Sequence, residues 1–347
     1  MSTNALRVFV LIALAAAMHG QTTNGPVYWS TVQPDCSSLS GETAVAITNA
    51  SGATLGYSCY VSGTFVWLAA GGGWTTSIRV AGPSSGAVGV DYSFYDKSGA
   101  DLTLDGTTNS SSSVVSGSGL TFSLFANQPA VVNLLGGTGN APAYSTSLAG
   151  SAYAVFYCPD AATCSAVLPQ LIYSALPAIP WSLSVPITWD TQVWTDWSAE
   201  GIDDGGSNLV SLAIYNEGTT ATAYTVLVYD STGALVGKGT TPVIPAFQAL
   251  SNGYLGQAGT YGALLKNIIS TPLPSGVFKI LVDGGSEYSA VTALQFTGAS
   301  ATALQVAYDS APSSTAMTTA SAQASASRAR AARVESLPKA VFRALQR

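Results

Sequence analysis

Five carboxylates fall within fifteen residues, at Asp190, Asp196, Glu200, Asp203 and Asp204, with Trp194 and Trp197 among them. Side chains of these types can do three kinds of chemistry. Two carboxyls flanking a sugar can hydrolyse a glycosidic bond, one as acid and the other as base or nucleophile. Several carboxylate oxygens can hold a hard cation such as calcium. Indole rings can also grip a sugar without any catalysis, offering an apolar face and a polar edge. The spacing does not match the twelve-residue calcium loop, and a solvated acidic loop is the plainest reading. Trp194, Trp197 and Asp196 are the residues a ligand would meet if this stretch is a site. No catalytic residue, metal ligand or cofactor is assigned.

Other schemes lack their parts. The only histidine is His19, inside a segment that reads as an export signal. Gly82-Pro83-Ser84-Ser85-Gly86 has the form of a nucleophile elbow, but that motif needs a strand-to-helix turn and a histidine base. Here it lies between two strand patterns and reads as a turn. Ser336-Leu337-Pro338-Lys339 has the spacing of a serine–lysine pair but sits in a low-complexity tail. Lys279 in "VFKILV" is the one lysine placed for an isopeptide crosslink, without an identifiable asparagine or acid to complete it. "AGGGWTTSIRV" (70–80) has the glycines of a phosphate loop. It leads into a strand, carries no lysine, and so lacks the helix N-terminus that such a loop needs.

The elements that must position these residues are strands. "TAVAIT" (43–48), "TSIRV" (76–80), "VGVDYSFY" (88–95) and "LTFSLF" (120–125) are short, β-branched or aromatic runs between Gly, Ser and Asn. In "WSLSVPITWD", Trp181, Leu183, Val185, Ile187 and Trp189 share one parity, which predicts one buried face and one polar face. Pro186 puts that strand at an edge or a bulge. "YLGQAGTYGALLKNII" (254–269) is the one helical candidate in the body. Trp181 and Trp189 are expected in the core, and Trp67 and Trp74 over the end of the first half.

Compartment follows from the ends and the cysteines. Met1–Arg7 carries one positive charge, Val8–Ala17 is apolar, and small residues come next, which is the form of a secretory signal cleaved after Ala17 or Gly20. Four cysteines remain, Cys36, Cys59, Cys158 and Cys164, and an even count in an exported chain implies disulfides with three possible connectivities. Nearest-neighbour pairing is the economical one. Between Gln21 and Pro312, 17 acids face five bases, a balance that argues against a nucleic-acid partner.

The two halves share a pattern. "FYDKSGADL" (94–102) matches "VYDSTGALV" (228–236), and upstream "GGGWTTSIRV" matches "DDGGSNLVSLAI" (203–214) with a one-residue gap. In both, an Asp opens a tight turn and a Gly supplies positive φ. The arrangement resembles a module of secreted bacterial proteins, with a GGGW-T-T turn (71–76) entering a strand, a Phe-Tyr-Asp-x-x-Gly hairpin (94–99) and a late helix. The second copy departs from it at Ser207, where the first has Trp74. The resemblance implies an exported β architecture and brings no activity with it.

The expected fold is all-β: two tandem immunoglobulin-like β-sandwich domains with one short helix in the second. The expected boundaries are a signal peptide at 1–20, a disulfide-bearing sandwich at 21–178, a second sandwich at 179–312 and a flexible, basic tail at 313–347. That tail gathers six bases and reads as disordered, or else as an amphipathic segment touching an anionic surface. The expected function is a secreted or cell-surface, non-catalytic module for binding, adhesion or scaffolding, its ligand a glycan or a protein. The alternative is carbohydrate binding or hydrolysis at Trp194, Trp197 and the neighbouring acids.

Overall fold

The computed structural model describes residues 28–39, 44–48, 52–70, 74–96, 98–108, 111–136, 148–175, 182–190, 196–203, 208–250, 263–269, 271–297, 300–303 and 306–308. Its elements begin with β1 Val45–Thr48, β2 Thr54–Ala70, β3 Trp74–Ala81, β4 Ala87–Asp96, β5 Leu104–Thr108, β6 Ser111–Gly117 and β7 Gly119–Phe125. Then come β8 Ala130–Gly136, β9 Leu148–Cys158, α1 Ala161–Ser165, β10 Leu168–Ala175, β11 Ser182–Pro186 and β12 Thr188–Trp189. Next are β13 Asp196–Asp203, β14 Asn208–Asn216, β15 Thr225–Asp230, β16 Leu235–Thr240, β17 Ala263–Leu264 and α2 Leu265–Ile268. The last four are β18 Gly276–Asp283, β19 Ser289–Thr297, β20 Ser300–Ala303 and β21 Val306–Tyr308. The chain is all-β, and among the described residues these strands pair antiparallel throughout.

The first half forms two sheets, one in the order β1-β2-β9-β4-β7 with β12 beside β2, the other β11-β10-β3-β8-β5-β6. Alternation along β4 explains how they meet. Val88, Val90, Tyr92 and Phe94 point into a shared core, while Gly89, Asp91, Ser93 and Tyr95 take the other face. Phe65, Phe122 and Phe156 join from the same sheet, and Ile78, Val80, Val132, Leu134 and Leu171 from the facing one. The second half repeats the arrangement with sheets β16-β15-β18-β13-β21 and β17-β14-β19-β20. Val226, Val228, Phe278, Ile280 and Val282 of the first pack on Val210, Leu212, Ile214, Val291 and Ala293 of the second. Three consecutive strands of each sheet share an order: β2-β9-β4 has that of β13-β18-β15, and β10-β3-β8 that of β19-β14-β17, while β5 and β6 have no counterpart among the described residues of the second half.

The two matching hairpins have one hydrogen-bond pattern. Asp96 Oδ1 accepts from Ser98 N, Ser98 Oγ and Ala100 N. Asp230 Oδ1 accepts from Thr232 N, Thr232 Oγ1 and Ala234 N. Gly99 and Gly233 take φ of 78° and 83°, which a residue with a Cβ adopts only at a cost. The Asp-x-[Ser/Thr] spelling encodes this turn locally, so it is legible in sequence.

Cysteines pair as nearest neighbours, Cys36–Cys59 and Cys158–Cys164, with Cα separations of 5.5 and 5.4 Å. Cys59 and Cys158 stand directly opposite each other on β2 and β9, so the two bridges meet at one point of the sheet. Replacing Cys36 and Cys59 together by Ser is expected to cost about 3 kcal/mol, because the bridge closes a loop of about 24 residues in the unfolded chain. Urea unfolding of oxidised protein and variant measures it, and a loss below about 1 kcal/mol would refute it.

Three expectations change. "WSLSVPITWD" is two strands: β11 pairs with β10 in one sheet and β12 with β2 in the other, so the chain crosses between sheets at Ile187. Pro186 ends β11, which is an edge strand as a proline requires. Residues 182–190 thus pair with strands of the first half in both of its sheets. Of the helix expected over 254–269, residues 254–262 lie outside the described residues, and the remainder forms β17 and the four-residue α2. A helix also occurs in the first half, at α1, where the one expected helix was in the second: Asp160 caps it by accepting from Thr163 N at 2.7 Å.

The pairs of sheets are joined by a third buried layer. Val66 of β2, with Trp67 beside it, meets Ala213 and Tyr215 of β14 and Ala290 of β19. Ala249 and Tyr288 complete the layer, with Phe247 alongside. Alanines at these positions let the sheets come close. Leu294 of β19 reaches into the first core. Along this joint the hairpin Gly99 abuts the carbonyl of Phe247, a non-glycine residue at φ 57°. Such a backbone persists because its surroundings hold it: Tyr215 Oη donates to Phe247 O at 2.7 Å and Phe247 N donates to Asn216 O at 2.9 Å.

Candidate functional site

Among the described residues, those singled out by type part company: Asp190 lies against β2 and Trp197 in the second core, away from Glu200 on the outer face of β13. Trp197 points inward from β13, is 5% exposed, and donates from Nε1 to Ser289 O at 2.9 Å. It is a core residue and has no face to offer a sugar. The reason is parity: Trp197, Ala199 and Gly201 share the side of β13 that meets Phe278 and its neighbours, while Asp196, Ser198 and Glu200 take the other. Asp196 is half-buried and Glu200 exposed. Trp194 and Asp204 lie outside the described residues, as does the side chain of Asp203. Asp190 is carried away from the group by β12 and lies against β2. Among the described residues no cluster of three or more His, Cys, Asp or Glu is arranged to hold a metal.

The motifs set aside on chemical grounds have structural places. Residues 82–86 form the turn between β3 and β4, with Gly86 at φ 78°. Lys279 is exposed and stands opposite Glu200 and Tyr229, where a water-excluded crosslink has no setting. Trp189 is half-buried and packs edge-on to Phe156 at 5.8 Å, as the core reading expects. Trp67 sits at the joint between the halves. Trp181, the side chain of Trp74, Gly71 to Gly73, the segment 1–20 and the tail 313–347 lie outside the described residues.

What the fold does bring together is a polar seam on the outer face of β2. Ser62 Oγ donates to Asp190 Oδ2 at 2.6 Å, and Tyr153 Oη of β9 donates to the same oxygen at 2.7 Å. Two residues along β2, Thr64 Oγ1 donates to Glu217 Oε1 at 2.7 Å, across the joint between the halves. Successive same-face positions on a strand are about 7 Å apart, so two carboxylates bind neighbouring hydroxyls of one strand. Ser62, Thr64, Asp190 and Glu217 are each buried. Asn216, fully buried, braces the turn beside Glu217: its Nδ2 donates to Thr220 O and Ile244 O, and its Oδ1 accepts from Gly218 N.

A serine hydrogen-bonded to a carboxylate invites a catalytic reading, and two facts oppose it. A carboxylate is too weak a base to ionise a hydroxyl at neutral pH. Ser62 is 4% exposed, so no substrate reaches its oxygen. The short hydrogen bonds to charged oxygens instead hold strands in place, which is where charge-assisted bonds are strong. In comparisons with protein-family models, with curated proteins and with solved structures, nothing matched the chain. Its function therefore has to be read from these residues.

No local signal in the sequence marks the seam. Ser62 and Asp190 are 128 residues apart, and Thr64 and Glu217 are 153 apart. Serines and threonines alternating with apolar residues read simply as the solvated face of a strand.

Proposed function

We propose that the chain is an exported, non-catalytic module for binding, adhesion or scaffolding, made of two immunoglobulin-like sandwiches that derive from one duplicated unit. The observation that carries this is the fate of the reactive side chains. Asp190, Glu217, Ser62, Thr64, Tyr153 and Trp197 are all buried and bonded to other parts of the fold. They are committed to rigidity, which a scaffold needs, and are closed to a substrate. The matching strand order of the halves and the matching Asp96 and Asp230 turns support the duplication. Two disulfides are compatible with an oxidising compartment. No helix among the described residues is long and apolar enough to cross a membrane.

The experiment is expression of the full chain with its first twenty residues in a bacterial host, followed by fractionation, N-terminal sequencing and non-reducing peptide mapping. Protein recovered outside the cytoplasm, starting at Met18 or Gln21 and carrying both bridges, is the expected result. Unprocessed cytoplasmic protein with free thiols would overturn export. Binding of the mature chain to a glycan array, abolished by Trp194→Ala, would restore the carbohydrate reading at that residue. For Trp197, substitution by Phe is expected to cost about 1 kcal/mol in urea unfolding, the worth of its lost hydrogen bond to Ser289 O.

A further inference from the structure

Besides the two-residue β12, the four sheets end in eight edge strands, whose outward N–H and C=O groups can pair with another chain unless something blunts them. Among the described residues, seven of the eight are blunted. β17, β20 and β21 have two, four and three residues. β1 has four residues and a register break at Ile47 and Thr48, and β6 meets β5 across a break at Thr107 and Thr108. β11 ends in Pro186, which has no N–H to give. β16 has Lys238, a break opposite Val228 and Tyr229, and a bridge from Gly239 to Ile269. β7 has none of these. Its seven residues include no charge and no proline, and its register on β4 is unbroken from Phe125↔Ala87 to Gly119↔Ser93. Among the described residues it pairs with β4 alone.

The ladder tells which backbone groups of β7 face the open side. Phe94 N donates to Ser118 O at 2.9 Å, so the pairs two and four residues on, Leu120–Tyr92 and Phe122–Val90, are the ones that exchange hydrogen bonds. The N–H and C=O groups of Thr121 and Ser123 therefore point away from β4. Their side chains are half-buried on the outer face, while Leu120, Phe122 and Leu124 point into the core. Around Phe122 the strand is a palindrome in kind: Leu-Thr-Phe-Ser-Leu reads apolar, hydroxyl, aromatic, hydroxyl, apolar in either direction.

We propose that β7 is a self-pairing edge, which joins antiparallel to β7 of a second copy about a two-fold axis at Phe122, independently of what else the chain binds. That register sets Thr121 of one copy opposite Ser123 of the other. These are the residues whose backbone groups face outward, so each such pair exchanges both its hydrogen bonds. Phe122 meets its own mate as a non-hydrogen-bonded pair, and Leu120 meets Leu124. Every facing pair is alike in kind, and aromatic and hydroxyl pairs across strands are favourable ones. Thr121 Oγ1 already donates to Asp91 Oδ1 at 3.2 Å, which leaves its lone pairs to accept from the Ser123 hydroxyl of the other copy. A two-fold interface needs this self-complementarity, because one surface serves both copies. A foreign strand would need no such symmetry.

The test is sedimentation equilibrium of the full chain over a range of concentrations, with hydrogen exchange at a low and a high one. One shared edge buries less than a standard interface, so a dissociation constant on the order of 50 µM is expected. The Thr121 and Ser123 amides should exchange about fourfold more slowly at about 500 µM than at about 5 µM, in step with the dimer fraction. The Phe122 amide, bonded to β4, should be slow at both. Ser123→Pro should weaken the dimer at least ~10-fold and leave the chain folded, because the N–H it removes faces outward and an edge strand tolerates that. Should the proline variant not fold, Ser123→Lys should weaken the dimer as much, by setting a charge on the edge. A chain monomeric throughout, a dimer unchanged in both variants, or a dimer whose Thr121 and Ser123 amides stay fast would each overturn the pairing. If the chain stays monomeric and a soluble peptide of alternating Thr and Val protects those amides, the edge takes a foreign strand and the self-pairing is likewise overturned.

Discussion

Asp190→Ala is expected to destabilise the protein by about 4 kcal/mol, the sum of two lost charge-assisted hydrogen bonds and two hydroxyls left buried without their acceptor. The hydroxyls are those of Ser62 and Tyr153, which share one carboxylate oxygen at 2.6 and 2.7 Å. Asp190→Asn keeps the shape and an acceptor, and should cost about half as much. A double-mutant cycle with Ser62→Ala isolates the pair, and its coupling energy should be about 2 kcal/mol, in the range for hydrogen bonds to charged groups. Urea unfolding monitored by tryptophan fluorescence gives all three values. A cost under about 1 kcal/mol would mean that the seam does not hold the sheets. Calcium that stabilises the wild type but not Asp190→Ala would place a cation there instead. The experiment therefore separates the structural role from the ion-binding role that five nearby acids first suggested.

Phe156→Ala should be about as costly, at roughly 4 kcal/mol, because it empties the centre of the first core. The ring is fully buried on β9, the strand between β2 and β4. It meets Tyr92 edge-on at 6.1 Å and Trp189 at 5.8 Å. β9 is pinned by neighbours on both sides and by the Cys158–Cys164 bridge at its end, so little collapse can fill the gap. Phe122→Ala makes the contrast. Its strand, β7, is at the sheet edge and can shift inward, so the smaller loss is expected there. The midpoint of urea unfolding should drop with its slope unchanged. Equal losses at the two positions would contradict the argument from strand position.

Much of the fold is local and was legible. The runs 43–48, 76–80, 88–95 and 120–125, read as strands from their β-branched and aromatic content, coincide with β1, β3, β4 and β7. Pro186 correctly marks an edge. The Asp96 and Asp230 turns are legible because the side chain bonds its own backbone two and four residues on. The break inside "WSLSVPITWD" was not legible. A chain that leaves one sheet at Pro186 and enters the other at Thr188 keeps its apolar parity, since both strands line the same core. The burial of Trp197 was not legible for a related reason. Alternation says that Trp197 and Asp196 face opposite sides, but the sequence does not say which side is solvent.

By itself the sequence determined the all-β class, the positions of several strands, and the two Asp-x-[Ser/Thr]-Gly turns. These depend on alternation, turn chemistry and composition, which act over a few residues. It left three disulfide pairings open, and the fold chose Cys36–Cys59 and Cys158–Cys164 even though Cys59 faces Cys158 across the sheet. Only the tertiary structure showed that Asp190 and Glu217 bind neighbouring hydroxyls of β2, that Trp197 is core, and that the Tyr28 ring lies over Gly89. Each of those contacts joins residues far apart in the chain. Such pairs are set by how sheets stack and which strands become neighbours, and no short-range pattern records that.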